Sequence, residues 1–347
     1  MTLFRCLKSA SVSSYSLSSN SGFKVEILDW GASINSVLLD FANSVTEVAV
    51  GFTDADTRGD DYFGSIVGRF ANRIKGGEFK VSGKTYRALT NEGSNTLHGG
   101  PEGFSSRIWN VDNVSDNAIE LSLISPDGDQ GFPGELTTKA RYQVFGTTLS
   151  LDLSATTTAP TVCSLTNHAY WNLAGGGTVD DHFLTVDADQ FVPIDDESIP
   201  LGELRDVDGT PFDLRSSRRI GEVVRSRHEQ IEVVHGLDHS FQIRGDGFRR
   251  CARLEYPKTG RALEVWSDIP GVQIYTGNSF DGSLISRNGR LRQGDAIAIE
   301  PQYHPDAVNQ PWSSGVFLDP GEEWKARIEW RFSENKYADI EKFPVPR

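Results

Sequence analysis

Thr148-Leu149-Ser150-Leu151-Asp152-Leu153 sets a leucine at every second position with a polar residue between. A period of two is what a half-buried β-strand requires, because successive side chains leave the backbone on opposite faces. An amphipathic helix would instead repeat its apolar residues every three to four positions. The alternation returns in Lys24-Val25-Glu26-Ile27, Ala118-Ile119-Glu120-Leu121-Ser122-Leu123, Ala262-Leu263-Glu264-Val265-Trp266 and Arg327-Ile328-Glu329-Trp330-Arg331-Phe332. Between such runs lie turn clusters, among them Gly76-Gly77, Ser82-Gly83, Asp127-Gly128-Asp129, Gly175-Gly176-Gly177 and Asn288-Gly289, several of which suit hairpins. No long segment carries a 3.6-residue apolar stripe between credible caps, although 216–233 predicts a short helix around Ile220, Val223 and Val224. The chain therefore reads as all-β, a large antiparallel β-sandwich.

A chain of 347 residues is long enough for two ordinary domains or for one large β domain. It shows neither a fixed-period repeat nor a low-complexity linker, so a single sandwich is the simpler expectation. With 19 Phe, 9 Tyr, 7 Trp and a single Met, aromatic rings supply much of the core volume. The formal charge of −14 would repel a phosphate backbone, so neither nucleic acid nor an anionic membrane is an expected partner. Cys6, Cys163 and Cys251 are widely spaced and form no CxxC, which argues against a disulfide framework or a thiolate zinc site and suits a reducing, cytoplasmic setting. No run of about 18 apolar residues is available to span a bilayer. The first twenty residues, with Arg5, Lys8, seven serines and no acid, have a transit-peptide flavour, but they lack an apolar core and merge into strand-like sequence.

Chemistry concentrates in two places. In Leu165-Thr166-Asn167-His168-Ala169-Tyr170-Trp171-Asn172, an extended backbone would put His168, Tyr170 and Asn172 on one face and Asn167, Ala169 and Trp171 on the other. A histidine beside aromatics is also what a satisfied core position looks like, and the local pattern leaves both readings open. In Ala296-Ile297-Ala298-Ile299-Glu300, the same parity turns Glu300 away from the apolar face and places it at a strand end, just before Pro301 stops pairing. A solvated rim carboxylate is the plain alternative there. The Pro/Gln/Asn-rich loop that follows, with Pro305-Asp306-Ala307 and Asn309-Gln310-Pro311, has the composition of a loop that shapes a site. Further hydrogen-bonding groups sit in Gly68-Arg69-Phe70-Ala71-Asn72-Arg73-Ile74, Asn95-Thr96-Leu97-His98-Gly99-Gly100, Gly236-Leu237-Asp238-His239-Ser240 and Pro270-Gly271-Val272-Gln273-Ile274-Tyr275-Thr276-Gly277-Asn278.

Taken together, and with Gly131-Phe132-Pro133-Gly134, Asp181-His182, Pro193-Ile194-Asp195 and Gly209-Thr210-Pro211-Phe212-Asp213, these segments resemble the aldose 1-epimerase (galactose mutarotase) family from about Tyr15 to Phe332. The resemblance implies a galactose mutarotase-like sandwich over 15–332, with a short extension at 1–14 and a charged, loosely held tail at 333–347. It implies His168 as general acid and Glu300 as general base, with Asn72, Arg73, His98, Asp238 and Gln273 binding sugar hydroxyls and Tyr170 and Asn309 as neighbours. Ala169-Tyr170-Trp171 and Glu300-Pro301 depart from the family's frequent Ser-Tyr-Phe and Glu-Thr, which bears on substrate preference and leaves the pair intact.

The implied reaction interconverts the anomers of a free aldohexose such as galactose or glucose and needs no cofactor and no metal. A monomer or weak dimer is expected, because no exposed heptad or long apolar edge is evident. Four rival readings start from the same residues. A metal site could draw on His98, His168, Asp238 and Glu300, although no HExxH helix is present and His228-Glu229 lacks a second His. A glycosidase could pair Asp238 with Glu300. A sugar phosphate epimerase could recruit Arg69, Arg73 and Arg107, and a non-catalytic sugar-binding module would have no reason to keep both His168 and Glu300.

Overall fold

The computed structural model describes residues 12–41, 44–54, 57 and 62–334. All five alternating runs form strands. Leu149, Leu151 and Leu153 of the strand Thr148–Thr157 are buried, while the residues between them face outward in part, as the period of two predicts. That strand pairs antiparallel with Leu136–Phe145 on one side and with Trp324–Glu334 on the other, inside a nine-stranded sheet. Trp324–Glu334 therefore runs two residues past Phe332, and Ser333 pairs with Ala262. The expected loose tail thus begins later than Ser333, and its remainder, like most of the expected 1–14 extension, lies outside the described residues.

A six-stranded antiparallel sheet faces the larger one. Its spatial order is Tyr170–Trp171, Ile297–Gln302, Gly271–Tyr275, Asp238–Ile243, Ala188–Phe191 and Arg205–Asp206. Residues directly opposite one another across antiparallel strands share a face. Ile297, Ile299, Ile274, Val272 and Phe241 thereby turn one face inward, where they join Leu151, Ile328, Trp330 and Val265 of the large sheet in one core cluster. Trp171 is central to that contact, lying 6.0 Å from Trp330 and 5.5 Å from Phe332 between ring centroids. Truncating a buried ring of this size typically costs about 3–5 kcal/mol.

Two short α-helices, Ile220–Val223 and Glu229–Val234, occupy the region where one was predicted. The expected hairpins at Ser82-Gly83 and Asn288-Gly289 join Glu78–Val81 to Lys84–Arg87 and Asp281–Ser286 to Gly289–Arg292. Among the described residues no helix is long and apolar enough to cross a membrane.

Candidate active site

The face of the six-stranded sheet that turns away from the core carries the polar residues. Glu300 lies opposite Gln273, which lies opposite Ser240; Tyr275 lies opposite both Ala298 and Asp238. Tyr170 pairs with Ala298 from the edge strand. Over this face opens a cavity of about 450 Å³ whose wall includes Tyr62, Asn72, Arg73, Glu92, His98, His168, Tyr170, Asp238, Tyr275 and Glu300. Six of the seven residues expected to serve a site are thus brought to one wall.

Glu300 corrects the strand-end expectation. Its strand continues through Pro301 to Gln302, and Glu300 is 1% exposed rather than sitting on a solvated rim. Proline is tolerated there because the edge strand Tyr170–Trp171 ends opposite Ala298, so no ladder on that side needs the missing N–H. Thr166 donates its hydroxyl to the Pro301 carbonyl (2.6 Å) instead.

The expected continuous strand through His168 is also broken, into Thr166–Asn167 against Ile66–Val67 and Tyr170–Trp171 against Ile297–Ala298. His168 sits between the two pairings, and its Nε2 lies 3.6 Å from Glu300 Oε1. Tyr170 shares the cavity. Asn172 does not: its amide donates to the carbonyls of Gly177 (2.7 Å) and Asp295 (2.8 Å), which fixes a neighbouring loop.

Arg73 and His98 come from a two-residue ribbon, Arg73–Ile74 against Thr96–Leu97. Asn72 and His98 both adopt left-handed backbone, at φ 64° and 51°, and exchange bonds, the Asn72 N–H donating to His98 Nδ1 (3.1 Å) and the His98 N–H to Asn72 O (3.1 Å). Because Nδ1 accepts, the neutral ring carries its proton on Nε2. Burial, with His168 and Arg73 adding repulsion, holds His98 well below the usual imidazole range, so it stays neutral. The Arg73 guanidinium makes a bidentate pair with Glu92 (2.7 and 2.8 Å) and approaches Asp238 Oδ2 at 3.7 Å.

The proline-rich loop after Glu300 acts on the site at second hand. Asp306 donates its N–H to Arg73 O (2.7 Å) and accepts the Lys75 N–H (3.0 Å), while Asn309 and Gln310 both donate to the Asp306 carboxylate. Asn309, expected as a neighbour of the sugar, spends its amide on Asp306 and on the Glu78 carbonyl and is not part of the cavity wall. Gln273 likewise lies behind the wall, donating to Asp238 Oδ1 at 2.7 Å, with its own Oε1 buried and without a partner among the described residues.

Burial pushes the two central groups in opposite directions. His168 is lowered to about 4, chiefly by desolvation. Glu300 is raised well above the usual carboxylate range by desolvation and by the nearby Asp238, with Arg73 opposing. Both shifts favour the uncharged pair, in which the proton sits on Glu300. The ionised pair has the same proton count and differs only by transfer across the 3.6 Å gap.

Two rival readings meet physical obstacles here. His98, His168 and Glu300 place ligand-type atoms within 4.8 Å of one another, close enough for one metal ion. Yet His98 Nδ1 already accepts a hydrogen bond and its Nε2 carries the proton, so neither nitrogen has a lone pair to offer while the Asn72 contact stands. Sugar phosphate recognition fares no better. Arg69 is buried and donates to the carbonyls of Ser125, Pro126, Pro133 and Gly134, and Arg107 is held by Asp129 and the Glu102 carbonyl. Among the described residues Arg73 is the sole arginine of a wall that also carries Glu92, Asp238 and Glu300.

Tyr62, Glu92 and His235 line the cavity although no motif of the sequence marks them, whereas Tyr275 belongs to the 270–278 run. One signal marks three cavity regions after the fact. Of nine described non-glycine residues with positive φ, four, namely Tyr62, Asn72, His98 and His235, line this wall. Such conformations gather at functional sites because only a tightly determined surrounding maintains them.

Known proteins resemble this chain along nearly its whole length. The family model described as aldose 1-epimerase matches residues 13–331. A galactose mutarotase of Bos taurus is 40% identical over 317 residues, covering 89% of this chain and 91% of its own length. An aldose 1-epimerase of Escherichia coli (strain K12) is 34% identical over 325 residues, covering 91% of this chain and 94% of its own. Among solved structures, a galactose 1-epimerase from Lactobacillus acidophilus NCFM superposes with a TM-score of 0.85 at 29% identity, over 96% of this chain and 97% of that one. With the family model matching residues 13–331 and relatives at this level of identity over nine-tenths of their length, the chain belongs to the aldose 1-epimerase family.

Proposed function

We propose that the chain interconverts the α and β anomers of free aldohexoses such as galactose and glucose, with His168 and Glu300 as its proton-transfer pair. The observation that carries this reading is the approach of His168 Nε2 to Glu300 Oε1, 3.6 Å, on the wall of a polar cavity. A cyclic sugar needs one group to take the anomeric hydroxyl proton and another to protonate the ring oxygen, and a buried pair with a shared proton supplies both.

In the sugar complex, hydroxyl donors and Arg73 favour the Glu300 carboxylate, and the displaced proton rests on His168. Glu300 then withdraws the anomeric proton while His168 delivers one to the ring oxygen. The ring opens to the aldehyde, the C1 to C2 bond rotates, and the reverse transfers close the opposite anomer. Oxidation state is unchanged throughout, so acid/base chemistry alone completes the cycle. Neutral His98 donates from Nε2, and Asn72, Arg73 and Asp238 hold further hydroxyls, with Gln273 steadying the Asp238 carboxylate. A wall whose described residues include three acidic side chains and one guanidinium favours uncharged sugars over phosphorylated ones.

We also assign the chain to one domain that continues past 332 to Glu334, a cytoplasmic setting and a monomeric or weakly dimeric state. Buried, unpaired Cys163 and Cys251 support the reducing compartment. The test of function is polarimetric relaxation of freshly dissolved α-galactose and α-glucose, with and without EDTA. Acceleration that survives the chelator is expected, and relaxation at the buffer rate would end the enzyme reading. An aryl glycoside in the same buffer should release no phenol; release would favour a glycosidase.

A further inference from the structure

Tyr62 belongs to none of the motifs, yet its ring covers both imidazoles of the cavity. Its centroid lies 4.5 Å from that of His98 and 6.0 Å from that of His168, the latter ring within 22° of parallel. The turn that presents Tyr62 is also the turn that holds the His168 backbone. Ser65 donates its N–H to Tyr62 O (2.9 Å), His168 donates to Ser65 O (2.8 Å), and Gly64 donates to His168 O (2.9 Å). Gly64 is required at this corner: at φ +66° any β-carbon would lie 1.9 Å from the Ile34 carbonyl oxygen.

At its far end Tyr62 is tied to the other imidazole. Its hydroxyl accepts from Asn91 Nδ2 (3.3 Å), and Asn91 in turn grips Leu97, accepting its N–H (2.7 Å) and donating to its carbonyl (3.0 Å), one residue before His98. Tyr62 itself sits at φ +59°, a conformation unfavourable for a bulky side chain. A residue kept there, with a backbone shared with His168 and a tip fastened beside His98, is placed by the structure at some cost.

We propose that Tyr62 is a positioning residue that aims the His168 imidazole and favours its imidazolium form. The proposal rests on the acid role given to His168 above. His168 Nδ1 has no side-chain hydrogen-bond partner among the described residues, so the rings packed on the imidazole bear on its rotation. Proton delivery needs the donor nitrogen within hydrogen-bond reach of the ring oxygen and correctly turned, and small errors in that aim are expensive. The Tyr62 face, with Tyr170 packed 4.9 Å away, limits that rotation, and an aromatic face attracts a cation more than it attracts a neutral ring.

Tyr62→Asn removes the ring while keeping a residue type that tolerates positive φ; Tyr62→Phe keeps the ring and loses the hydroxyl. In Tyr62→Asn the galactose KM should stay near the wild-type value, kcat should fall roughly tenfold or more, and the limb of the pH profile set by the acid should move to lower pH. Tyr62→Phe should restore kcat to within about twofold. Normal kcat and an unmoved limb in folded Tyr62→Asn would overturn the proposal. So would an equal loss in Tyr62→Phe, which would make the hydroxyl the active part, or a raised KM alone, which would make Tyr62 a sugar contact.

Should Tyr62→Asn not fold, Tyr62→Gly also removes the ring, at a positive φ that glycine adopts freely, and the same fall in kcat and shift of the limb are expected; wild-type kcat with an unmoved limb would refute the proposal. Failure of the acid role itself appears separately, as wild-type turnover in His168→Asn.

Discussion

Glu300→Gln tests the active site and its energetic cost in one variant. The amide keeps the size of the side chain and much of its hydrogen bonding but has no basicity at neutral pH. A general base is worth about 10²–10⁴ in rate, so kcat should fall by that factor, equivalent to roughly 3–5 kcal/mol of transition-state stabilisation. Galactose should still bind, because Arg73, His98 and Asp238 remain on the wall with Gln273 behind them.

Stability should move the other way. Burial raises the folded-state pKa of Glu300 above its ordinary 4.5, so above pH 4.5 the folded chain holds a proton that the unfolded chain has released. Folding stability from this group is therefore lost as pH rises from 4.5 toward the folded value, by up to about 1.4 kcal/mol per pH unit. The glutamine variant lacks that loss. It should be the more stable protein at pH 7.5, and the difference should shrink at pH 5. Polarimetry on α-galactose, calorimetric galactose affinity and urea unfolding at the two pH values, all on one preparation, measure the three quantities. Near-normal turnover, or a variant less stable than wild type at both pH values, would refute the reasoning.

His168→Asn, which retains a polar group but no acid, should lower kcat strongly with little change in KM; turnover at the wild-type level in steady-state polarimetry would remove His168 as the acid. Acidification should destabilise the fold, because His98, His168, His182, His239 and His304 are all buried and held below the usual imidazole range. As pH falls through about 6.5 the unfolded chain takes up protons that these sites refuse, at a cost on the order of 1 kcal/mol per histidine by pH 5.5, opposed in part by Glu300. A urea midpoint no lower at pH 5.5 than at pH 7 would contradict this.

Much of the architecture is legible in local pattern. Alternation in Thr148-Leu149-Ser150-Leu151-Asp152-Leu153 needs only the geometry of an extended chain to become a half-buried strand, and the structure bears it out there and in the four companion runs. The same parity correctly separates Glu300 from Ile297 and Ile299, since which face a side chain takes is set by the backbone period and not by its neighbours. It fails at the 165–172 segment, where two short pairings to different partners interrupt the extended run and send Asn172 to a loop while His168 stays in the cavity.

Sequence alone thus determined the strand class, the inward residues and the chemical types available for acid/base work on a sugar. The tertiary structure decided how those types act. It brought His168, just ahead of the edge strand, beside Glu300 on the neighbouring strand, buried that carboxylate out of water, and used Asn72 to put the His98 proton on Nε2. It turned Arg69 and Asn309 into braces and drew in Tyr62 and Glu92, which no motif marks. The division has a physical cause. Strand periodicity is a property of consecutive residues, whereas desolvation, tautomer choice and competition for hydrogen bonds depend on which distant segments are packed around a group, and that is settled only when the sheets close on one another.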